Sequence, residues 1–104
     1  MPGYQIPPPP SHGGKGKGKG NVWRGFYQQN GQNHPMVFKK LKIKNNLIEG
    51  KGKDDIGKFS VHGMANGGHI KFSKDYKKKH SVIYEGQWNP AGQMTGHWNI
   101  PGSG

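Results

Sequence analysis

Cysteine is absent from this chain of 104 residues, and acids are scarce, with 5 Asp and Glu against 16 Lys and Arg. The first absence excludes a disulfide scaffold, a thiol nucleophile and a cysteine zinc site. No run approaches the ~18 apolar residues that a membrane-spanning helix needs. The N-terminus has no apolar signal-peptide core, and no Asn-x-Ser/Thr sequon occurs, so an intracellular site (cytoplasmic, nuclear or organellar) is expected. Sustained helical periodicity is missing too, and the 19 glycines recur too often for stable helices. The length suits one small domain.

Residues 1–20 stand apart in composition, with five Pro, six Gly and three Lys, and only Met1, Tyr4 and Ile6 apolar. Pro7 to Pro10 favour extended polyproline backbone, while in Gly14–Gly20 glycine entropy and lysine repulsion both oppose compaction. A flexible basic tail over 1–20 and a folded domain over 21–104 are therefore expected. The spacing from Gly13 to Gly18-Lys19 imitates a phosphate loop, but Gly20 follows where Ser or Thr should stand. No strand precedes it and no helix follows, so only its charge has meaning.

What is present in 21–104 is a period of two. Lys71–Tyr76 and Ser81–Trp88 alternate as strands with one buried face do. Turn signals fall at Asn45-Asn46, Asp54-Asp55, Asn66-Gly67, Lys77–Lys79 and Asn89–Gly92. They divide the segment into seven strands near 22–28, 35–44, 47–54, 57–63, 68–76, 80–88 and 94–100. Folding at each turn pairs Ile43 with Ile48, Gly52 with Phe59, Val61 with Phe72, Phe72 with Tyr84, and Tyr84 with Trp98. Every hairpin places the same residues on one face, and a bulge at Lys39-Lys40 brings Met36 and Phe38 into phase with Leu41 and Ile43. That face also carries Gly25, Gly50, Gly52, Gly57, Gly63, Gly86 and Gly96, a device for sharp sheet curvature. The fold class expected is all-β: a single antiparallel up-and-down meander barrel of seven to eight strands, with a two-sheet sandwich as runner-up.

The segments Trp23-Arg-Gly25-Phe-Tyr27, GKGKDDIGKFSVHG (50–63) and GHW (96–98) resemble small meander barrels of the lipocalin and avidin (calycin) kind. The pattern Phe72-x-Lys74-x-Tyr76, His80-x-Val82-x-Tyr84-x-Gly86 and Gly96-x-Trp98 is also similar to uncharacterised small barrel domains of single-celled eukaryotes. The resemblance implies non-catalytic binding. In a carrier of a small hydrophobic or anionic ligand, Trp23, Tyr27, Phe72, Lys74, Tyr76, His80, Tyr84 and Trp98 would meet it.

Catalytic and metal constellations are not expected. Asp54 and Asp55 adjoin in a turn and diverge, Glu85 lies opposite Lys71, and Ser60, Ser73 and Ser81 alternate outward with no His–carboxylate pair beside them in register. His12, His34, His62, His69, His80 and His97 lack metal-ligand spacing and read as surface residues, so no cofactor and no metal is expected. Lys74 shares the inner face, where it either snorkels to the rim, the favoured expectation, or joins Tyr76 and His80 in a polar cluster.

The remaining cations cluster as Lys15, Lys17 and Lys19; as Lys39, Lys40, Lys42 and Lys44; and as Lys77, Lys78 and Lys79. Such clusters attract polyanions by charge and counterion release, whereas Arg24 stands alone, so bidentate base reading is disfavoured. The function expected is a non-enzymatic binding or assembly module for an acidic partner, nucleic acid (RNA) first and an acidic protein surface second. The alternatives are the carrier and a structural protein whose tail docks on a polymer or filament.

Overall fold

The computed structural model describes residues 2–8, 22–77 and 79–101. They form eight strands in one closed barrel: β1 (Gly3–Ile6), β2 (Trp23–Gln29), β3 (Gln32–Lys44), β4 (Leu47–Asp54), β5 (Lys58–Asn66), β6 (His69–Tyr76), β7 (Ser81–Trp88) and β8 (Met94–Asn99). Each strand pairs antiparallel with its sequence neighbour, and β1 closes the ring by pairing with β8 as well as β2. The expected all-β up-and-down barrel is therefore the fold observed, and closure leaves no free sheet edge.

Local chemistry explains the meander. Asn30, Asn45 and Asn46 take positive φ, as do Gly31, Gly67 and Gly68, which gives the tight two-residue turns the left-handed backbone they require. Two glycines show what curvature demands. A Cβ on Gly63 would sit 2.1 Å from the Lys71 carbonyl oxygen, and one on Gly86 would sit 1.9 Å from that of Thr95. These strands cross too closely for any side chain, and the facing residues Phe72 and Gly96 occupy the space.

The ladders of β3–β4, β4–β5, β6–β7 and β7–β8 follow the expected pairings, including Ile43↔Ile48, Gly52↔Phe59, Phe72↔Tyr84 and Tyr84↔Trp98. The bulge falls between Phe38 and Lys40. One hairpin differs: β5 and β6 turn at Gly67-Gly68, so Phe72 lies opposite Gly63 rather than Val61. The slip is by two residues, which preserves the faces. Gly57 lies in the link before β5 rather than within a strand.

The larger correction is at the N-terminus. The expected boundary at residue 21 leaves Gly3–Ile6 outside the domain, whereas these residues form β1 and put Tyr4 and Ile6 in the core at 2% and 0% exposure. Gly25 makes room for them, since a Cβ there would approach the Gln5 carbonyl oxygen to 2.4 Å. Apolar side chains at Tyr4 and Ile6 alternate around Gln5 as in any half-buried strand, and that signal is overwhelmed by the surrounding Pro and Gly. The rest of the expected tail, 9–20, lies outside the described residues.

Candidate nucleic-acid interface

Inside the barrel, Met36, Phe38, Phe59, Phe72, Tyr84, Met94 and Trp98 pack with Tyr4 and Ile6 into one core. Of the residues proposed for a carried ligand, Tyr27, Phe72, Lys74, Tyr76, Tyr84 and Trp98 are buried there. Trp23 packs partly against this core. His80 is exposed, its ring 5.2 Å from that of Tyr76.

Lys74 does not snorkel. Its side chain is 1% exposed and that of its partner Asp54 is 0% exposed, with Nζ donating to Asp54 Oδ2 at 2.6 Å. The Tyr76 hydroxyl donates to the same oxygen at 2.5 Å. The ammonium also lies 4.7, 4.9, 5.0 and 5.1 Å from the ring centroids of Tyr27, Phe59, Tyr76 and Tyr84. Burial lowers the Lys74 pKa, and the Asp54 carboxylate partly restores the charged form. Four π faces and one carboxylate thus replace the water a buried cation loses. The polar cluster expected around Lys74 forms with Tyr76, but its acceptor is Asp54 and not His80.

The adjacent acids diverge as expected. Asp54 turns inward while Asp55 accepts from the Tyr27 hydroxyl at 2.7 Å and meets His34 Nδ1 at 2.7 Å. The Tyr27 hydrogen bond, against a smaller desolvation effect, and His34 hold the Asp55 carboxyl below the usual carboxylate range. Tyr27 and His34 stack at 4.8 Å, and the Tyr27 ring also lies 4.7 Å from the Lys74 ammonium, so this group adjoins the buried pair.

Outside, the structure brings together a group that the register did not anticipate. Asp75 accepts from Ser73 Oγ at 2.7 Å and Ser81 Oγ at 2.6 Å, and meets His62 Nε2 at 2.8 Å. Both serines bond to the carboxylate itself, so His62 does not stand between a hydroxyl and an acid as a nucleophile's base must. Burial pushes the Asp75 pKa up, but the serine and histidine hydrogen bonds together bring it below its ordinary value. Glu85 lies opposite Lys71 in the ladder, and its carboxylate is 3.4 Å from His69. Among the described residues no group of three or more His, Cys, Asp or Glu is placed to hold a metal ion.

The exposed lysines of the outer face are arranged differently. Lys40, Lys42 and Lys44 alternate outward along β3, with Lys39 exposed at the bulge. Lys51 and Lys53 on β4 and Lys58 at the start of β5 join them, three residues that the sequence clusters did not include. Lys40 lies directly opposite Lys51, and Lys53 directly opposite Lys58. The Lys77 amide donates to the Lys58 carbonyl at 3.4 Å, which brings the β6–β7 turn to the same region. Lys39, Lys51, Lys53, Lys58 and Lys77 line a surface cleft of about 570 Å³ beside Asp75. None of these lysines makes an ion pair among the described residues. Lys79 is exposed beyond the same turn, whereas Lys15, Lys17, Lys19 and Lys78 lie outside the described residues. The sequence signal for Lys51, Lys53 and Lys58 was their alternation within already proposed strands.

The architecture defines the class: a closed eight-stranded antiparallel barrel, calycin-like at the level of its topology. Comparison with family models, with curated proteins and with solved structures finds no match to the chain.

Proposed function

We propose that the protein is a non-enzymatic binding module that holds an acidic polymer, nucleic acid foremost, on the lysine-lined outer face of β3, β4 and β5. The observation that carries this reading is the pair of lysine–lysine registers, Lys40↔Lys51 and Lys53↔Lys58. Like charges directly opposite on adjacent strands are unfavourable. Glu49 stands opposite Lys42, but the lysines of these two pairs make no ion pair among the described residues. An anionic polymer would relieve that repulsion and release its own condensed counterions. Solubility alone is served by interspersed charges and does not call for lysines matched across the ladders.

The test is binding of RNA by fluorescence anisotropy across a salt series. The expected result is a log–log slope of several units, reduced by about 0.7 for each single-strand phosphate contact removed. Replacing Lys40, Lys42, Lys51 and Lys53 together by Gln should weaken binding at least tenfold with an unchanged circular dichroism spectrum. A flat salt dependence would overturn the reading.

The calycin-type carrier is a second reading, favoured by one observation. The Tyr4 hydroxyl is buried in the core without a hydrogen-bond partner among the described residues, a group that a polar end of an internal ligand would satisfy. The dense aromatic filling around it weighs against a large ligand.

A further inference from the structure

The lysine track is as informative for what does not accompany it. The aromatic side chains of β3, β5 and β6 (Phe38, Phe59, Phe72 and Tyr76) are all buried in the barrel. None is left on the outer face of those strands for a base to stack on. The single arginine, Arg24, lies on β2, outside the track. The imidazole beside the track, His62 opposite Glu49, is already engaged with Asp75 at 2.8 Å. What remains is a line of lysine charges, with Glu49 opposite Lys42 as an acid within it. Lys40, Lys42 and Lys44 succeed one another every second residue, about 6.6 Å apart along an extended strand. Lys51 and Lys53 repeat that step on the neighbouring strand.

Resting on the nucleic-acid reading, we infer that this face takes the sugar–phosphate backbone alone and makes no use of the bases. Stacking on aromatic rings is worth about 1–3 kcal/mol per base in proteins that grip single strands, and bidentate edge contacts come from Arg, Asn and Gln. Strands β3 and β4 supply neither beside the lysines, and Asn45 and Asn46 stand only at the turn beyond Lys44. Lysine ammonium groups meet phosphate oxygens as compact charges and carry no base information. The ligand class is therefore a phosphodiester chain of any sequence, lying along β3 and β4 with its bases turned away from the protein.

The deciding experiment compares an abasic oligodeoxyribose phosphate with base-bearing oligonucleotides of the same length, at one salt concentration, using the full chain. Expected affinities agree within about threefold, homopolymers of different base agree equally well, and the salt slopes coincide. The Lys40→Gln, Lys42→Gln double variant should weaken all of them by the same factor. A loss of more than tenfold on removing the bases, or a tenfold preference among homopolymers, would overturn backbone-only binding while leaving the nucleic-acid reading in place. No binding of either kind of chain would instead remove the nucleic-acid reading itself.

Discussion

Lys74 and the lysines of β3–β5 are the same residue type under opposite treatment. Inside, one ammonium is matched by a buried carboxylate, a tyrosine hydroxyl on that carboxylate, and four aromatic faces. Outside, Lys40 faces Lys51 and Lys53 faces Lys58, while Glu49 stands opposite Lys42. Burial removes the water that stabilises a charge, so the interior tolerates a cation only with partners already in place. On the surface, water and salt screen the repulsion, and the cations stay available. The scarce acids divide in the same way: Asp54 is buried against Lys74, whereas Asp55 and Asp75 meet His34 and His62 nearer the surface.

The contrast is broken most severely from within. Asp54→Asn should leave the Lys74 ammonium buried without its counter-charge and cost about 3–5 kcal/mol in urea unfolding. Pairing Asp54→Leu with Lys74→Met should recover much of that loss. A cost below 1 kcal/mol for Asp54→Asn would mean that the pair is hydrated. Next comes the closing strand: Ile6→Ala should destabilise the barrel by about 2–5 kcal/mol, as a fully buried isoleucine does elsewhere. Unchanged stability in that variant would show that β1 is dispensable.

Alkali probes the interior in another way. All four tyrosines of the chain are buried, and desolvation is the first cause that raises the pKa of each. Because the folded state keeps these phenols protonated while the unfolded chain releases protons near pH 10, stability falls as pH rises above that value. Tyrosinate absorbance should therefore stay flat through pH 10 and then appear together with loss of the fold. Gradual ionisation in the folded barrel would refute burial of the hydroxyls. The smallest effect belongs to the outside: Lys51→Gln should change stability by no more than about 0.5 kcal/mol, and in the favourable direction, because it relieves the repulsion with Lys40. A marked destabilisation would show that Lys51 has a structural partner.

Much of this arrangement was legible in the residues. Phe72, Tyr84 and Trp98 were assigned inward and Lys40, Lys42 and Lys44 outward by alternation alone, and the bulge followed from the change of phase between Phe38 and Leu41. The two-residue slip of β5 against β6 went undetected, because a shift of two conserves every face. Asn66-Gly67 and Gly67-Gly68 are both competent turns, and the choice between them rests on which residues meet across the ladder. The strand β1 was missed because four residues between Pro-rich neighbours carry too little local signal. Its stability comes from β2 and β8, which are remote in sequence.

The binary pattern by itself determined that this chain makes antiparallel strands with one apolar face, since period two leaves each side chain only two directions. It also determined a net positive charge, since there are too few acids to neutralise the lysines. Only the tertiary structure decided that Gly3–Ile6 closes the barrel and that Asp54, 20 residues before Lys74, turns inward to meet it. Both depend on distances through space between segments that no local preference links. The free energy that selects them, from pairing a charge that burial has stripped of water and from hydrogen-bonding the last open edge, exists only once the rest of the barrel has formed.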